Sequence, residues 1–242
     1  MIAIVTWLWR GERDYRAEHA NVLGAMLRRH MTVPFRLICI TDEPGDFDAG
    51  VEALPTPPAA AALAALKTPE GGRFPSSYRR LWLFSAEART LAPRVLLTDI
   101  DVVVTGDLAP LVDRDDDFVG WRPGQSWGND KHRLAGGTWL LRTGSKTAVW
   151  DDFAGPPSIA EARRAGYRGS DQAWISYKLN GTVPVWPAGS GIYSIRDMTR
   201  DDRRVRTDAP PADARVVHFN GRGKPWDGPT ADQHPWVREH YR

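Results

Sequence analysis

A single α/β domain with a mixed, mostly parallel sheet flanked by helices, Rossmann-like in its winding, is the fold class this sequence predicts. Three observations carry it. Apolar runs of strand length alternate with helix-period segments from the first residues onward. The first strand, helix and strand follow at the spacing of a βαβ unit, which makes that part of the sheet parallel. The 242 residues hold no internal repeat and no long linker, so they fill one large domain with its own core.

Each element has its own signal. Ile2–Thr6 is a short apolar run. Asp14–His30 carries apolar residues at Ala20, Leu23, Ala25, Met26 and Leu27, a helical pattern with Asp14 as its cap. Phe35–Thr41 reads as a strand and ends in the turn cluster Thr41-Asp42-Glu43-Pro44-Gly45. Residues 44–75 are rich in Pro, Gly and Ala, with a short helix expected over Ala59–Leu66. Ser76–Leu91 is the next helix, stopped by Pro93, and Arg94–Thr98 is a buried strand by composition. Val102–Val104 continues extended. Phe118–Trp121, Thr138–Leu141 and Arg215–Phe219 follow as strands, Ser145–Phe153 and Ser170–Leu179 as helices, and the C-terminal tail reads as irregular.

Composition excludes several classes. With 42% hydrophobic and 26% charged residues the chain is an ordinary globular protein, neither disordered nor fibrous. A net charge of +2 is too even for general nucleic-acid affinity. No apolar run approaches the ~18 residues of a membrane span, and the N-terminus lacks the basic leader of a signal peptide. Cys39, the one cysteine, lies in an apolar strand and reads as a buried core thiol, which fits a reducing cytoplasm. The 11 tryptophans suit either a sugar-stacking surface or an aromatic core, and the core is the reading for most of them.

The most informative stretch is Leu96-Leu97-Thr98-Asp99-Ile100-Asp101. In an extended chain the first and third of three residues point to the same side, so Asp99 and Asp101 converge. In open α/β sheets ligands collect beyond the carboxyl ends of the strands. Oxygen donors there suit a hard divalent cation such as Mg²⁺ or Mn²⁺. The other acidic run, Asp115-Asp116-Asp117, follows no apolar strand and reads as a solvated turn.

Two further stretches can complete a site. Arg215–Phe219 delivers His218, a candidate metal ligand, and Asn220-Gly221-Arg222-Gly223-Lys224 then forms a turn. Its glycines admit a bulky ligand group, and Lys224 can neutralise phosphate. Gly169-Ser170-Asp171-Gln172 is either a helix cap or an acid and amide pair aimed at a polar substrate. Arg80 can reach a phosphate or pair on the surface, and Arg79 beside it competes for the same assignment.

Taken in order, these pieces resemble the family 8 glycosyltransferases, the group of glycogenin and bacterial lipopolysaccharide galactosyltransferases. The resemblance runs from the N-terminal strand through Tyr78-Arg79-Arg80-Leu81 and Val95–Leu108. It continues with Gly137-Thr138-Trp139-Leu140-Leu141, Asp171-Gln172 and Leu179-Asn180-Gly181, and ends in His218-Phe219-Asn220-Gly221 with Lys224-Pro225-Trp226. It spans residues 2–226. The resemblance implies a GT-A fold, a nucleotide-sugar donor, usually of uridine, Mn²⁺ and retention of configuration. The donor half would lie in residues 1–107 and the acceptor half in 108–242. Asp99, Asp101 and His218 would hold the metal. Gly221 and Lys224 would hold the diphosphate. Arg80 and Ile100 would contact the donor, and Asp171 and Gln172 would be the catalytic pair facing the transferred sugar. Thr6 and Trp7 would border the nucleobase, with Tyr15 stacked on it. The acceptor would be a glycan, a lipid or a protein.

The chain departs from the family at Ala135, where an Asn is usual, and at Ala173, where a second Asp is usual. Its first-strand loop Trp7-Leu8-Trp9-Arg10-Gly11 lacks the usual acid and amide. Two other functions compete. Apolar strand followed by Asp-x-Asp also resembles haloacid-dehalogenase phosphatases, with Asp99 as nucleophile, Asp101 as acid and Asp201-Asp202 as the later pair. A non-catalytic sugar-binding module would use its tryptophans alone.

Overall fold

The computed structural model of the chain describes residues 1–9, 15–43, 45–68, 77–122, 133–179, 181–199, 206–221 and 223–242. Its first half holds β1 (Ile2–Leu8), α1 (Ala17–His30), β2 (Phe35–Thr41), β3 (Val51–Pro55), α2 (Pro58–Ala61), β4 (Arg94–Thr98) and β5 (Val102–Val104). Then follow α3 (Ala109–Val112), β6 (Phe118–Gly120), β7 (Thr138–Arg142), α4 (Ala148–Asp151), α5 (Pro156–Arg164) and α6 (Asp171–Leu179). The chain closes with β8 (Ile192–Ser194), α7 (Ile195–Met198), β9 (Val216–His218), α8 (Gly228–Gln233) and α9 (Trp236–His240).

A six-stranded sheet in the order β3-β2-β1-β4-β7-β6 forms the centre. β1 pairs in parallel with both β2 and β4, and β3 extends the parallel part beyond β2. β7 runs antiparallel to β4 and β6, so the sheet is mixed but mostly parallel, as expected. The chain leaves β1 toward β2 on one side and returns on the other side as β4. That reversal opens a crevice at the carboxyl ends of β1 and β4. A small sheet, β5-β9-β8, stands beside it.

The β1 apolar residues alternate between two cores. Ile4 and Leu8 pack with α1 residues Leu23, Met26 and Leu27 on one face. Ala3, Val5 and Trp7 pack with Tyr78, Leu81 and Trp139 on the other. This two-sided burial explains the near-continuous apolar strands. Cys39 is fully buried in β2, and burial pushes its thiol up to about 12. Seven of the ten described tryptophans are buried and three half-buried, so most serve the core, as expected.

Several boundaries differ from expectation. α1 starts after Arg16, whose backbone N–H donates to His19 Nδ1, and the expected cap Asp14 lies outside the described residues. The stretch expected as one helix over Ser76–Leu91 is two 3₁₀ turns, Ser77–Phe84 and Glu87–Thr90, with Ser76 outside the described residues. Tight winding aligns every third residue, so Tyr78, Leu81 and Phe84 share one row against the core. The helix expected over Ala59–Leu66 is one short turn, α2 at Pro58–Ala61. The edge strand β3 was hidden in the Pro- and Ala-rich stretch. The tail is not irregular. Trp236 and Val237 of α9 are buried, and Arg29 of α1 donates to the carbonyls of Arg242 and His240.

Candidate active site

The crevice holds a cleft of about 480 Å³ at the carboxyl ends of β1 and β4. β1 and the residue after it bring Trp7 and Trp9 to it, and the end of β4 with the turn that follows brings Thr98, Asp99, Ile100 and Asp101. Arg80, Gln172, Gly221 and Lys224 come from three other segments.

The Asp99-Ile100-Asp101 turn joins the two sheets. The Asp99 N–H donates to the Gly137 carbonyl at 2.9 Å, which anchors the turn to the large sheet. The Phe219 N–H donates to the Asp101 carbonyl at 2.9 Å, which anchors it to the small one. Pairing of Val102 with His218 then carries the imidazole back to Asp99. His218 Nδ1 lies 4.0 Å from Asp99 Oδ2, so the imidazole sits buried behind a carboxylate of the cleft wall and does not itself line the cleft.

Both buried cations here are paired with carboxylates. Arg80 is buried and grips Asp171 through Nε and Nη2, both at 2.9 Å, while Nη1 donates to Asp99 at 2.6 Å. Burial opposes the Arg80 charge, but Asp171 and Asp99 outweigh it and hold the guanidinium above its usual pKa. Burial, with Asp101 and Asp171 nearby, raises the Asp99 carboxyl against the pull of Arg80. Burial would raise Asp101 too, but Lys224 outweighs it and holds this carboxyl below the usual range. Lys224 Nζ donates to Asp101 Oδ2 and, at 2.9 Å, to the Phe219 carbonyl. Tyr15 donates to the same Asp101 oxygen at 3.2 Å. His218 is driven down to about 4 by burial and is neutral at pH 7.

The structure separates the two arginines that the sequence left in competition. Neighbours on a 3₁₀ turn point about 120° apart. Arg79 turns to Asp42 at 2.9 Å and lies over the Trp9 ring, while Arg80 turns inward to the acids. Asp171 is fully buried with both oxygens engaged, Oδ1 also by Ser170, so it holds Arg80 and does not face the cleft as expected. Gln172 does line the cleft, and its Oε1 accepts from the Gly136 N–H at 3.2 Å. Trp7, Ile100 and Gly221 line it as well, the last with φ +123°. Thr6 is fully buried and is not part of the lining. Tyr15 is half-buried at the rim, edge-on to Trp226 at 5.4 Å. The acidic run 115–117 stays on the surface, paired with Arg114 and Arg142. Asp201 and Asp202 lie outside the described residues.

Trp9, Ser77, Arg196 and Asn220 also line the cleft and were not singled out from the sequence. Trp9 was findable, since alternation along β1 puts it on the same face as Trp7. Asn220 stood inside a stretch already marked.

The chemistry of the donor set suits a small divalent cation. His218 Nδ1 is buried with no hydrogen-bond partner, and it faces a carboxylate oxygen across 4.0 Å. Two acceptors facing one another at this separation can take a cation between them, because the gap is about twice a hard cation's donor distance. Gly137 leaves that space open. A Cβ there would sit 2.7 Å from Asp99 Oδ2 and 2.8 Å from His218 Nδ1. Among the described residues no three acidic, His or Cys side chains yet close around one point, because Lys224 and Tyr15 occupy Asp101. Gly137→Ala is therefore expected to weaken Mn²⁺ binding and to cost about 1–3 kcal/mol in overpacking. Calorimetric titration of Mn²⁺ and a thermal melt would check both, and wild-type Mn²⁺ affinity in the variant would show the gap to be unused.

Solved structures that this chain resembles in fold include glycosyltransferases. The galactosyltransferase LgtC, in complex with donor and acceptor sugar analogues, aligns over 99% of this chain and 96% of its own, with 17% identity and a TM-score of 0.62. The glycosyltransferase GlyE of Streptococcus pneumoniae TIGR4 aligns over 93% of this chain and 56% of its own, with 13% identity and a TM-score of 0.58. Mouse xyloside xylosyltransferase 1 aligns over 90% of this chain and 97% of its own, with 13% identity and a TM-score of 0.57. The chain therefore has the GT-A fold expected for it. It matches no family model, and no curated protein matches it in sequence. No helix among the described residues is long and apolar enough to cross a membrane.

Proposed function

We propose that the chain is a glycosyltransferase. It moves a sugar from a nucleotide-diphosphate sugar, a uridine one, to a glycan, lipid or protein acceptor in the cytoplasm. Mn²⁺ is the cation, with Mg²⁺ as a substitute, and anomeric configuration is retained. One observation carries the reading: Asp99, Asp101, Arg80 and Lys224 line one crevice of a GT-A fold, with His218 Nδ1 buried 4.0 Å from Asp99 Oδ2. Retention and the uridine donor rest on the resemblance to family 8.

Departure of a nucleoside diphosphate builds negative charge on the leaving oxygens, and groups already in place stabilise it best. Arg80 is in place, because Asp171 and Asp99 fix its fork before any substrate arrives. The three bonds to these acids leave two of its five N–H groups for the donor. Lys224 would exchange Asp101 for the pyrophosphate, and Gly221, without a Cβ, would let those oxygens close on the backbone. Asp99, Asp101 and His218 would then hold the cation, which supplies Lewis-acid stabilisation of the same charge. Gln172 would face the transferred sugar, while Asp171 acts through Arg80 as a positioning residue. Trp7, Trp9, Tyr15 and Ile100 would wall the nucleobase side. The leaving group needs no proton from the protein, so the acids are free for the cation and for Arg80.

A panel of nucleotide sugars, scored for Mn²⁺-dependent release of nucleotide, tests class, donor and metal together. Release with one donor supports the reading, and no release across the panel overturns it. Lys224→Ala should weaken UDP binding about 10–100-fold, the worth of a charged hydrogen bond, and uridine binding much less. Equal losses for both would make Lys224 structural. The phosphatase reading predicts release from p-nitrophenyl phosphate with Mg²⁺, which this account expects to be absent.

A further inference from the structure

Thr138 is the one side chain that hydrogen-bonds the His218 ring among the described residues. Its Oγ1 lies 2.8 Å from Nε2, and both residues are buried. Trp121 covers one face of the ring at a centroid distance of 4.9 Å and an angle of 22°. The opposite ring nitrogen, Nδ1, has no partner and faces Asp99.

These contacts belong to one rung of the large sheet. Thr138 opens β7 and pairs with Thr98, the last residue of β4. The next residue on each side, Asp99 and Gly137, share the hydrogen bond from the Asp99 N–H to the Gly137 carbonyl. The rung that sets the backbone of Asp99 thus also sets the hydroxyl that holds His218. His218 itself ends β9 of the other sheet, so the Thr138–His218 bond ties the two sheets together at the cleft.

The hydrogen-bond distances also bear on the tautomer. A neutral imidazole carries one N–H and one lone pair. A proton on Nδ1 would face Asp99 Oδ2 at 4.0 Å, too far for a hydrogen bond. A proton on Nε2 is accepted by Thr138 Oγ1.

We propose that Thr138 is a positioning residue for His218: by accepting from Nε2–H it fixes the ring so that Nδ1 stands as an unprotonated donor opposite Asp99. This deepens the metal reading given above and rests on it for its purpose, although not for its geometry. Groups that orient a ligating histidine through its other nitrogen set both tautomer and ring angle. The role belongs to a hydroxyl and not to the shape of the side chain, so valine cannot fill it.

Two measurements test it with the full chain. Nitrogen-15 NMR of histidine-labelled, metal-free protein reads the tautomer directly, with the His218 signals identified by their loss in His218→Gln. Wild type is expected to show protonated Nε2 and bare Nδ1. The near-isosteric Thr138→Val should show both tautomers, and Thr138→Ser should restore the wild-type pattern. A wild type protonated at Nδ1, or a Thr138→Val spectrum identical to wild type, overturns the proposal. Mn²⁺ titration in the presence of UDP is the second measurement. Thr138→Val should bind Mn²⁺ about 10–100-fold more weakly, with Thr138→Ser close to wild type. Equal Mn²⁺ affinity in Thr138→Val also overturns the proposal. If wild type takes up no Mn²⁺, the metal reading fails, and the tautomer measurement alone decides the role of Thr138.

Discussion

Replacing Arg80 with alanine is expected to destabilise the protein by about 3–5 kcal/mol, the usual consequence of stranding a buried charge. The stranded group is Asp171, fully buried and held by both inner nitrogens of the guanidinium. For a chain of this length the melting temperature should fall by about 6–20 °C. Turnover should fall further than stability explains, by about 10²–10³-fold, because a fixed donor aimed at the leaving charge is lost. Arg80→Lys separates the two effects. One ammonium can meet one acid but cannot fork across Asp171 while reaching Asp99. It should recover part of the melting temperature and little of the turnover. An unchanged melt in Arg80→Ala would mean that the ion pair is not what holds α6 against the 3₁₀ turn.

Asp101→Ala is expected to abolish metal-dependent nucleotide binding. Its carboxylate is one of two that leave β4 toward the cleft, and its Oδ2 is where Lys224 and Tyr15 meet. With it gone, UDP affinity in Mn²⁺ should fall to the level measured with a chelator. Asp101→Asn keeps the shape and a hydrogen-bond acceptor for Lys224, so it should fold while losing the same dependence. Calorimetry of UDP with and without Mn²⁺ reads both variants. A wild-type response in either would remove Asp101 from the metal site.

The elements that could be read from the sequence are those whose signal is local. β2 and β4 were expected with the bounds they have, because each is an apolar run closed by a turn or by the acids. The context of Asp99 and Asp101, acids directly after a buried strand, was enough to set them apart from Asp115–Asp117. β3 and β8 escaped because short edge strands acquire their identity from a neighbour, here β2 and β9. The 3₁₀ winding of Ser77–Phe84 escaped because its apolar content fits either helix.

Contacts across the chain were not legible. Arg80 and Asp171 are 91 residues apart, and Thr138 and His218 are 80 apart. The pairing of Asp171 with Gln172 in the sequence suggested one shared face. On α6 adjacent residues diverge by about 100°, so one went into the core with Arg80 and the other to the cleft. In the sequence, Gly137 was only the first residue of the Gly137–Leu141 match. Its role is the space between Asp99 and His218, which exists only once two sheets meet.

Asp99, Asp101 and His218 are proposed to bind one divalent cation together with the nucleotide. Electron paramagnetic resonance of Mn²⁺ measures this directly, since free aqueous Mn²⁺ gives a sharp signal that coordination by protein broadens. With equimolar chain, UDP and Mn²⁺ the free signal should disappear at one ion per chain, and it should persist in His218→Ala. A free signal at full strength while UDP is bound to the wild-type chain would contradict the account.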